Sequence, residues 1–241
     1  MRVAALYDIH GNLAALDAVL GEVLADPPDA VVLGGDVAAG PMPAETLDRL
    51  LDLTIRIYAI QGNADRELLD PPRGDDVWSQ RARWAASKLT PAHRALLAAP
   101  PLLSLTIDRL GPTLFCHGSP RSDEEIITRL SPERRIRPML RGVRERLIVC
   151  GHTHVQFDRE VACARIVIAG SVGMAYEGTP GARWAMVGPD VCLRTTPYDL
   201  DAAAGLFARA GMPAVDELVA GLRLPPSADE ASGYFERTAD G

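Results

Sequence analysis

A chain of 241 residues with 47% hydrophobic residues can bury a full-sized core, as one large domain or two small ones, and a one-domain α/β enzyme falls within that range. Its formal net charge of −7 argues against general affinity for nucleic acid or an anionic membrane, though a local basic groove stays open. No apolar run approaches the ~18 residues of a membrane span. Met1-Arg2-Val3-Ala4-Ala5-Leu6 leads straight towards Asp8, without room for a cleaved secretion signal, so the expected compartment is the cytoplasm. Cys116, Cys150, Cys163 and Cys192 form no C-x-x-C pair and lie in or beside strand-like runs, which predicts buried, reduced thiols.

Residues 2–7 read as a strand. From Asn12 to Ala25 apolar residues fall at Leu13, Leu16, Val19, Leu20, Val23 and Leu24, the spacing of a helix packed on one face. Pro27-Pro28 ends it, and Ala30–Leu33 is the next strand. A second helix over 44–53 and a third strand over 55–60 complete a β-α-β-α-β unit, which implies a parallel sheet with right-handed crossovers. A proline-, glycine- and acid-rich loop over 70–76 precedes helical stretches near 77–88 and 91–98, and His93 reads as a packed or surface histidine. Strands follow near 102–107 and 113–116. The polar stretch 123–146 is expected to be helical in part, and short strands resume at 147–150, 155–162, 165–168, 184–187 and 191–195. Their turn-separated style predicts a second sheet paired mainly through hairpins. Two helices over 199–222 are separated by Gly211-Met212-Pro213, and the polar end from Pro225 is expected to be loosely held.

The chemistry gathers in motifs that directly follow the strand-like runs. Asp8-Ile9-His10, Gly34-Gly35-Asp36, Gly62-Asn63-Ala64-Asp65, His117 and Gly151-His152-Thr153-His154 would bring Asp, His and Asn side chains together beyond the carboxyl ends of strands, where α/β sheets bind ligands. Oxygen and imidazole donors without cysteine suit a hard to borderline divalent cation. In Asp8-Ile9-His10 and His152-Thr153-His154 the donors stand two apart, and strand alternation would point both to one face.

In this order, with His117-Gly118-Ser119-Pro120 and Gly170-Ser171-Val172-Gly173, the motifs resemble the calcineurin-like metallophosphoesterase superfamily, and within it the small bacterial and archaeal phosphodiesterase branch typified by YfcE. The likeness runs from residue 3 to about 195. It implies an α/β/β/α sandwich of two facing mixed sheets in one domain, with a C-terminal helical segment over 196–224 and a polar tail over 225–241. It also implies two divalent ions, Mn²⁺ foremost, with Fe, Zn, Ni or Mg as alternatives. By resemblance Asp36 bridges both ions. Asp8, His10 and His154 complete the ligand set of one ion, while Asn63, His117 and His152 complete that of the other. The implied reaction is attack of a metal-activated hydroxide on a phosphodiester or phosphoanhydride, with Asp36, Asn63 and Asp65 carrying catalysis and Asp65 orienting a ligand.

One departure bears on the substrate. Family phosphatases carry Gly-Asn-His-Asp, whose histidine protonates the leaving group, and Ala64 stands there in this chain. A methyl group donates no proton, so a contribution of ~10²–10⁴-fold is missing or supplied elsewhere. Good leaving groups are favoured accordingly. A phosphomonoesterase, including a protein phosphatase, is the alternative within enzymes. Outside them stands an interaction scaffold, since a retromer subunit that resembles this branch also lacks the histidine. The Arg121–Arg146 stretch is either a solvated helical face or a cap whose guanidiniums bind phosphate oxygens. The candidate substrate contacts are Asn12, Arg66 and Arg121. The partner expected is a small phosphoester or nucleotide, with no membrane and no long nucleic acid, and relatives suggest a homo-oligomer.

Overall fold

The computed structural model describes residues 1–161 and 164–239; Cys163 lies outside them. In chain order the elements are β1 (Val3–Leu6), α1 (Leu13–Ala25), β2 (Ala30–Leu33), α2 (Pro43–Leu51), β3 (Arg56–Ala59), α3 (Asn63–Leu69), α4 (Val77–Ala86), α5 (Pro91–Leu97), β4 (Leu102–Ile107), β5 (Gly111–Cys116), α6 (Glu133–Met139), β6 (Leu147–Cys150), β7 (Phe157–Val161), β8 (Ala164–Ile168), β9 (Ala182–Val187), β10 (Val191–Thr196), α7 (Leu200–Ala210), α8 (Val215–Arg223) and α9 (Ala228–Ala239). No helix among the described residues is long and apolar enough to cross a membrane.

Two five-stranded mixed sheets result, ordered β10-β9-β1-β2-β3 and β4-β5-β6-β8-β7. Alternation along each strand divides its apolar residues between two cores. Val3, Ala5, Val32, Phe115, Val149 and Val167 meet between the sheets. Leu6, Val31 and Leu33 instead face Leu16, Leu20 and Leu47 of the outer helices, and Ile148, Ile166 and Ile168 face Ile136 and Met139 of α6. The layers are therefore α/β/β/α. Tyr7 is fully buried and joins the sheets, its hydroxyl donating to the Val149 carbonyl at 2.9 Å.

The β1, β2 and β3 strands are parallel, as the β-α-β-α-β pattern requires. In the second half the hairpin expectation holds for β4–β5, β7–β8 and β9–β10, which pair antiparallel, and other pairings depart from it. β9 and β10 return to the first sheet, with β9 antiparallel to β1, and β6 pairs in parallel with both β5 and β8. Two central strands explain this: β6 and β9 are buried at every residue, the pattern of a strand covered on both faces. The end of the chain also departs from expectation. It folds into α9, whose Ser227 and Glu230 cap each other, Ser227 N donating to Glu230 Oε2 at 2.9 Å and Glu230 N to Ser227 Oγ at 3.3 Å. Cys116 and Cys150 are buried with their sulfurs 3.3 Å apart, whereas Cys192 is exposed. His93 is buried, bonding Thr90 N and Asp48.

Candidate metal centre

The strands β1, β2 and β3 run parallel in one sheet, and β5 and β6 in the other, so their carboxyl ends can share a site. Asp8 and His10 follow β1, Asp36 follows β2, Asn63 opens α3 after β3, His117 follows β5, and His152 and His154 follow β6.

Strand alternation is not what aims these side chains. Asp8, His10, Asp36, His152 and His154 all lie past the strand ends in left-handed backbone, with φ of 52°, 47°, 54°, 67° and 59°. Such a conformation costs a non-glycine residue about 1–3 kcal/mol and persists only where its surroundings hold it. Here the bracing is visible. Asp8 N donates to Gly35 O (3.1 Å), and His10 N to Asp36 O (2.9 Å). Asp8 O accepts from Gly173 N (3.0 Å) and the Ser171 hydroxyl (2.7 Å). The Gly170-Ser171-Val172-Gly173 motif thus braces the end of β1. Gly151 is required by close approach, since a Cβ there would lie 2.4 Å from the Tyr7 ring and 2.5 Å from Asp8 Oδ2.

The donors form two overlapping groups. His154 Nε2 lies 3.3 Å from Asp8 Oδ1 and 3.2 Å from His10 Nε2. His117 Nε2 lies 3.1 Å from Asn63 Oδ1, 3.4 Å from Asp36 Oδ2 and 3.9 Å from Asp8 Oδ1. Asp36 Oδ2 is also 3.9 Å from His10 Nε2, between the groups. His152 and His154 do not stand side by side: the His154 ring packs on His10 at 4.9 Å and the His152 ring on His117 at 5.2 Å.

This donor set fits a cation. Nδ1 of His10, His117 and His154 meets the backbone carbonyls of Ala39 (3.3 Å), Gly34 (2.9 Å) and Met174 (2.7 Å). A carbonyl only accepts, so Nδ1 carries a proton and each ring, when neutral, turns the lone pair of Nε2 to the cluster. Asp8 Oδ1 is buried with no hydrogen bond among the described residues. Lone pairs converging on such an orphaned oxygen repel one another unless positive charge lies among them.

Electrostatics agree with that reading. Burial alone would lower His117, but the Asp36 and Asp8 carboxylates carry it up to about 10. Burial and the neighbouring His117 push His152 down to about 4; burial and His154 lower His10. Burial would raise Asp36, yet His117 and His10 hold it below the usual carboxylate range. Asp65 is pushed up to about 7 by burial and by Asp36. Its carboxylate accepts from Asp36 N (2.8 Å), Val37 N (2.9 Å) and Gly62 N (3.1 Å), which ties the β2 and β3 ends together.

The candidate substrate contacts are engaged within the protein. Asn12 is fully buried and caps α1, accepting from Ala15 N and donating to Gly173 O and Tyr198 Oη. Arg66 pairs with Asp123 and Glu124, and Arg121 with Glu125. Sequence reasoning missed the aromatic flank of the site. The Tyr176 ring stacks on His154 at 4.7 Å, and the Phe235 ring of α9 lies 6.4 Å from His152.

A calcineurin-like phosphoesterase superfamily domain matches residues 1–188. No curated protein matches the chain. Among solved structures it is similar to a metallophosphoesterase of Sphaerobacter thermophilus, at 26% identity and a TM-score of 0.72 over 92% of this chain and 98% of that one. A hypothetical protein of Pyrococcus horikoshii reaches a TM-score of 0.80 at 20% identity, with the same shares covered. The YfcE phosphoesterase of E. coli gives 0.51 at 22% identity, over 79% of this chain and 90% of that one.

Proposed function

Since the chain belongs to the calcineurin-like phosphoesterase superfamily, we propose that it is a metal-dependent hydrolase cleaving phosphodiester or phosphoanhydride bonds in a small phosphoester or nucleotide. The observation that carries this is the convergence of the Nε2 atoms of His10, His117 and His154 on Asp8 and Asp36, with Asp8 Oδ1 buried and unpartnered. The similar Sphaerobacter thermophilus protein is called a metallophosphoesterase, which supports the same chemistry.

Asp8, His10 and His154 would hold one ion and Asn63, His117 and His152 the other, with Asp36 shared. When bound, two divalent ions, Mn²⁺ foremost with Fe, Zn, Ni or Mg as alternatives, supply Lewis acidity and a water of lowered pKa. The protein's part is to fix the donors. Each Nδ1–carbonyl contact sets a ring's tautomer and tilt, and Asp65 fixes the Asp36 backbone through its N–H. Ala64 is buried, and its N–H donates to Asp36 Oδ1 at 2.8 Å. That amide helps orient the shared carboxylate, but the methyl group protonates nothing. Departure of the leaving group without a proton therefore favours aryl diesters and phosphoanhydrides over alkyl monoesters.

Metal-stripped protein titrated with Mn²⁺ against bis(p-nitrophenyl) phosphate and p-nitrophenyl phosphate tests the reading. The expected result is Mn²⁺-dependent cleavage of the diester with little of the monoester. Preference for the monoester would favour a phosphomonoesterase, and cleavage of an alkyl monoester as well would reveal a proton donor other than residue 64. Stoichiometric metal without turnover of diesters, monoesters or phosphoanhydrides would favour the interaction scaffold.

A further inference from the structure

A cleft of about 160 Å³ opens beside the candidate metal centre, with His10 in its wall. It lies where the C-terminal helices meet the sandwich: Phe207 of α7, Leu222 of α8, Tyr198, Tyr176 and Met174 line it. That volume is close to the roughly 150 Å³ of an apolar cavity that binds benzene, enough for a single ring, and predominantly apolar, aromatic walls are typical of small-molecule sites. None of its lining residues is lysine or arginine, and its one acid, Glu217, is held outward by an ion pair with Arg81 at 2.8 Å. A phosphoryl group therefore meets no lysine or arginine in the cleft lining. Tyr176 links it to the site, because the ring that forms its wall also stacks on His154 at 4.7 Å.

We infer that this cleft is the subsite for the organic portion of the substrate, and that it takes a flat, uncharged aromatic ring, an aryl group or a nucleobase, carried on the phosphoryl group held beside His10. The inference rests on the phosphoesterase reading for the phosphoryl group but not for the ring. The half-buried rings of Tyr176 and Tyr198 suit a π-face of either source, and the thioether of Met174 adapts to ring shape.

Calorimetric binding of non-hydrolysable phosphonates to the Mn²⁺-loaded protein tests it without turnover. Phenylphosphonate should bind at least about tenfold more tightly than methylphosphonate, because burying a ring removes far more apolar surface than burying a methyl group. Cyclohexylphosphonate, of similar bulk, should fall between them, and thymidine 5′-phosphonate binding more tightly than phenylphosphonate would identify the ring as a nucleobase. Two variants follow. Gly221 lines the cleft, and a Cβ there meets no atom within 4 Å, so Gly221→Trp should fold and fill the mouth. Tyr176→Leu removes the stacking ring but keeps apolar bulk. Both should reduce the phenyl-over-methyl ratio severalfold while Mn²⁺ stoichiometry stays constant. Equal affinities of the two phosphonates for the wild type, or an undiminished ratio in both variants, would overturn the subsite. A strong phenyl preference without hydrolysis of any phosphoester would instead leave the subsite standing and remove the hydrolase reading.

Discussion

His117 holds the positive charge in a cluster built to receive a larger one. The Asp36 and Asp8 carboxylates keep its imidazole protonated up to about 10, while His152, down at about 4, and the lowered His10 are neutral near pH 7. An incoming cation must displace the His117 proton, so binding between pH 7 and 9 should release about one proton, and apparent affinity should rise about tenfold per pH unit until His117 titrates. Calorimetry in two buffers of different ionisation enthalpy reads this directly; no proton release at pH 8 would mean that His117 is already neutral. The left-handed backbone makes a second prediction. In metal-free protein His152→Gly should be about 1 kcal/mol more stable than His152→Ala, because only alanine retains the penalty of φ 67°. Equal urea midpoints would show that no strain resides there. The donor residues themselves were legible in sequence, since Asp, Asn and His are conspicuous after apolar runs. Their aim was not, because strand alternation stops where the left-handed turns begin.

At the scale of elements, periodicity revealed α1, α2, α4, α5, α7 and α8, whose apolar faces pack on a partner. It failed at α3 and at the C-terminus, while the arginine-rich stretch is helical in part, as expected. Only α6 forms within 123–146, and much of the charge there is paired: Arg121 with Glu125, Arg137 with Glu133, and Arg129 and Arg135 with Asp229 and Glu236 of α9. A basic stretch thus clasps an acidic helix, a long-range match that neither segment announces alone. The Ser227-x-x-Glu230 capping box was the local signal for α9. Glu236 is the centre of the clasp, accepting from Thr128, Ser131 and Arg135, each at 2.6 Å. Glu236→Ala should therefore loosen α9 without unfolding the sandwich. Amide exchange in α9 should quicken about tenfold or more, the loss of hydrogen bonds to a carboxylate, while β1 and β6 exchange as before. Unchanged α9 exchange would mean that the Phe235 contacts and the Arg129–Asp229 pair suffice to hold the helix.

The whole molecule places the candidate centre across its own midline. Asp8, His10, Asp36 and Asn63 come from the sheet of β1 to β3, and His117, His152 and His154 from the sheet of β5 and β6. Bound cations would tie the sheets together at one end of their shared core, so metal affinity becomes folding stability. At a free Mn²⁺ concentration 100-fold above Kd the gain per site is about 2.7 kcal/mol, which for a chain of this size raises Tm by roughly 5–10 °C. Asp36→Asn separates the two sides of this coupling. Without metal, the change removes a carboxylate that the folded state holds below its usual range and leaves His117 without its counter-charge, so the metal-free Tm should fall at neutral pH. With Mn²⁺ the shift should shrink to that of a single weak site or vanish, because a neutral amide replaces the carboxylate between His10 and His117. Scanning calorimetry with and without Mn²⁺ distinguishes the cases. A full Tm shift in Asp36→Asn would show that Asp36 is not the shared ligand and would transfer that part to Asp8, whose Oδ1 also reaches both groups.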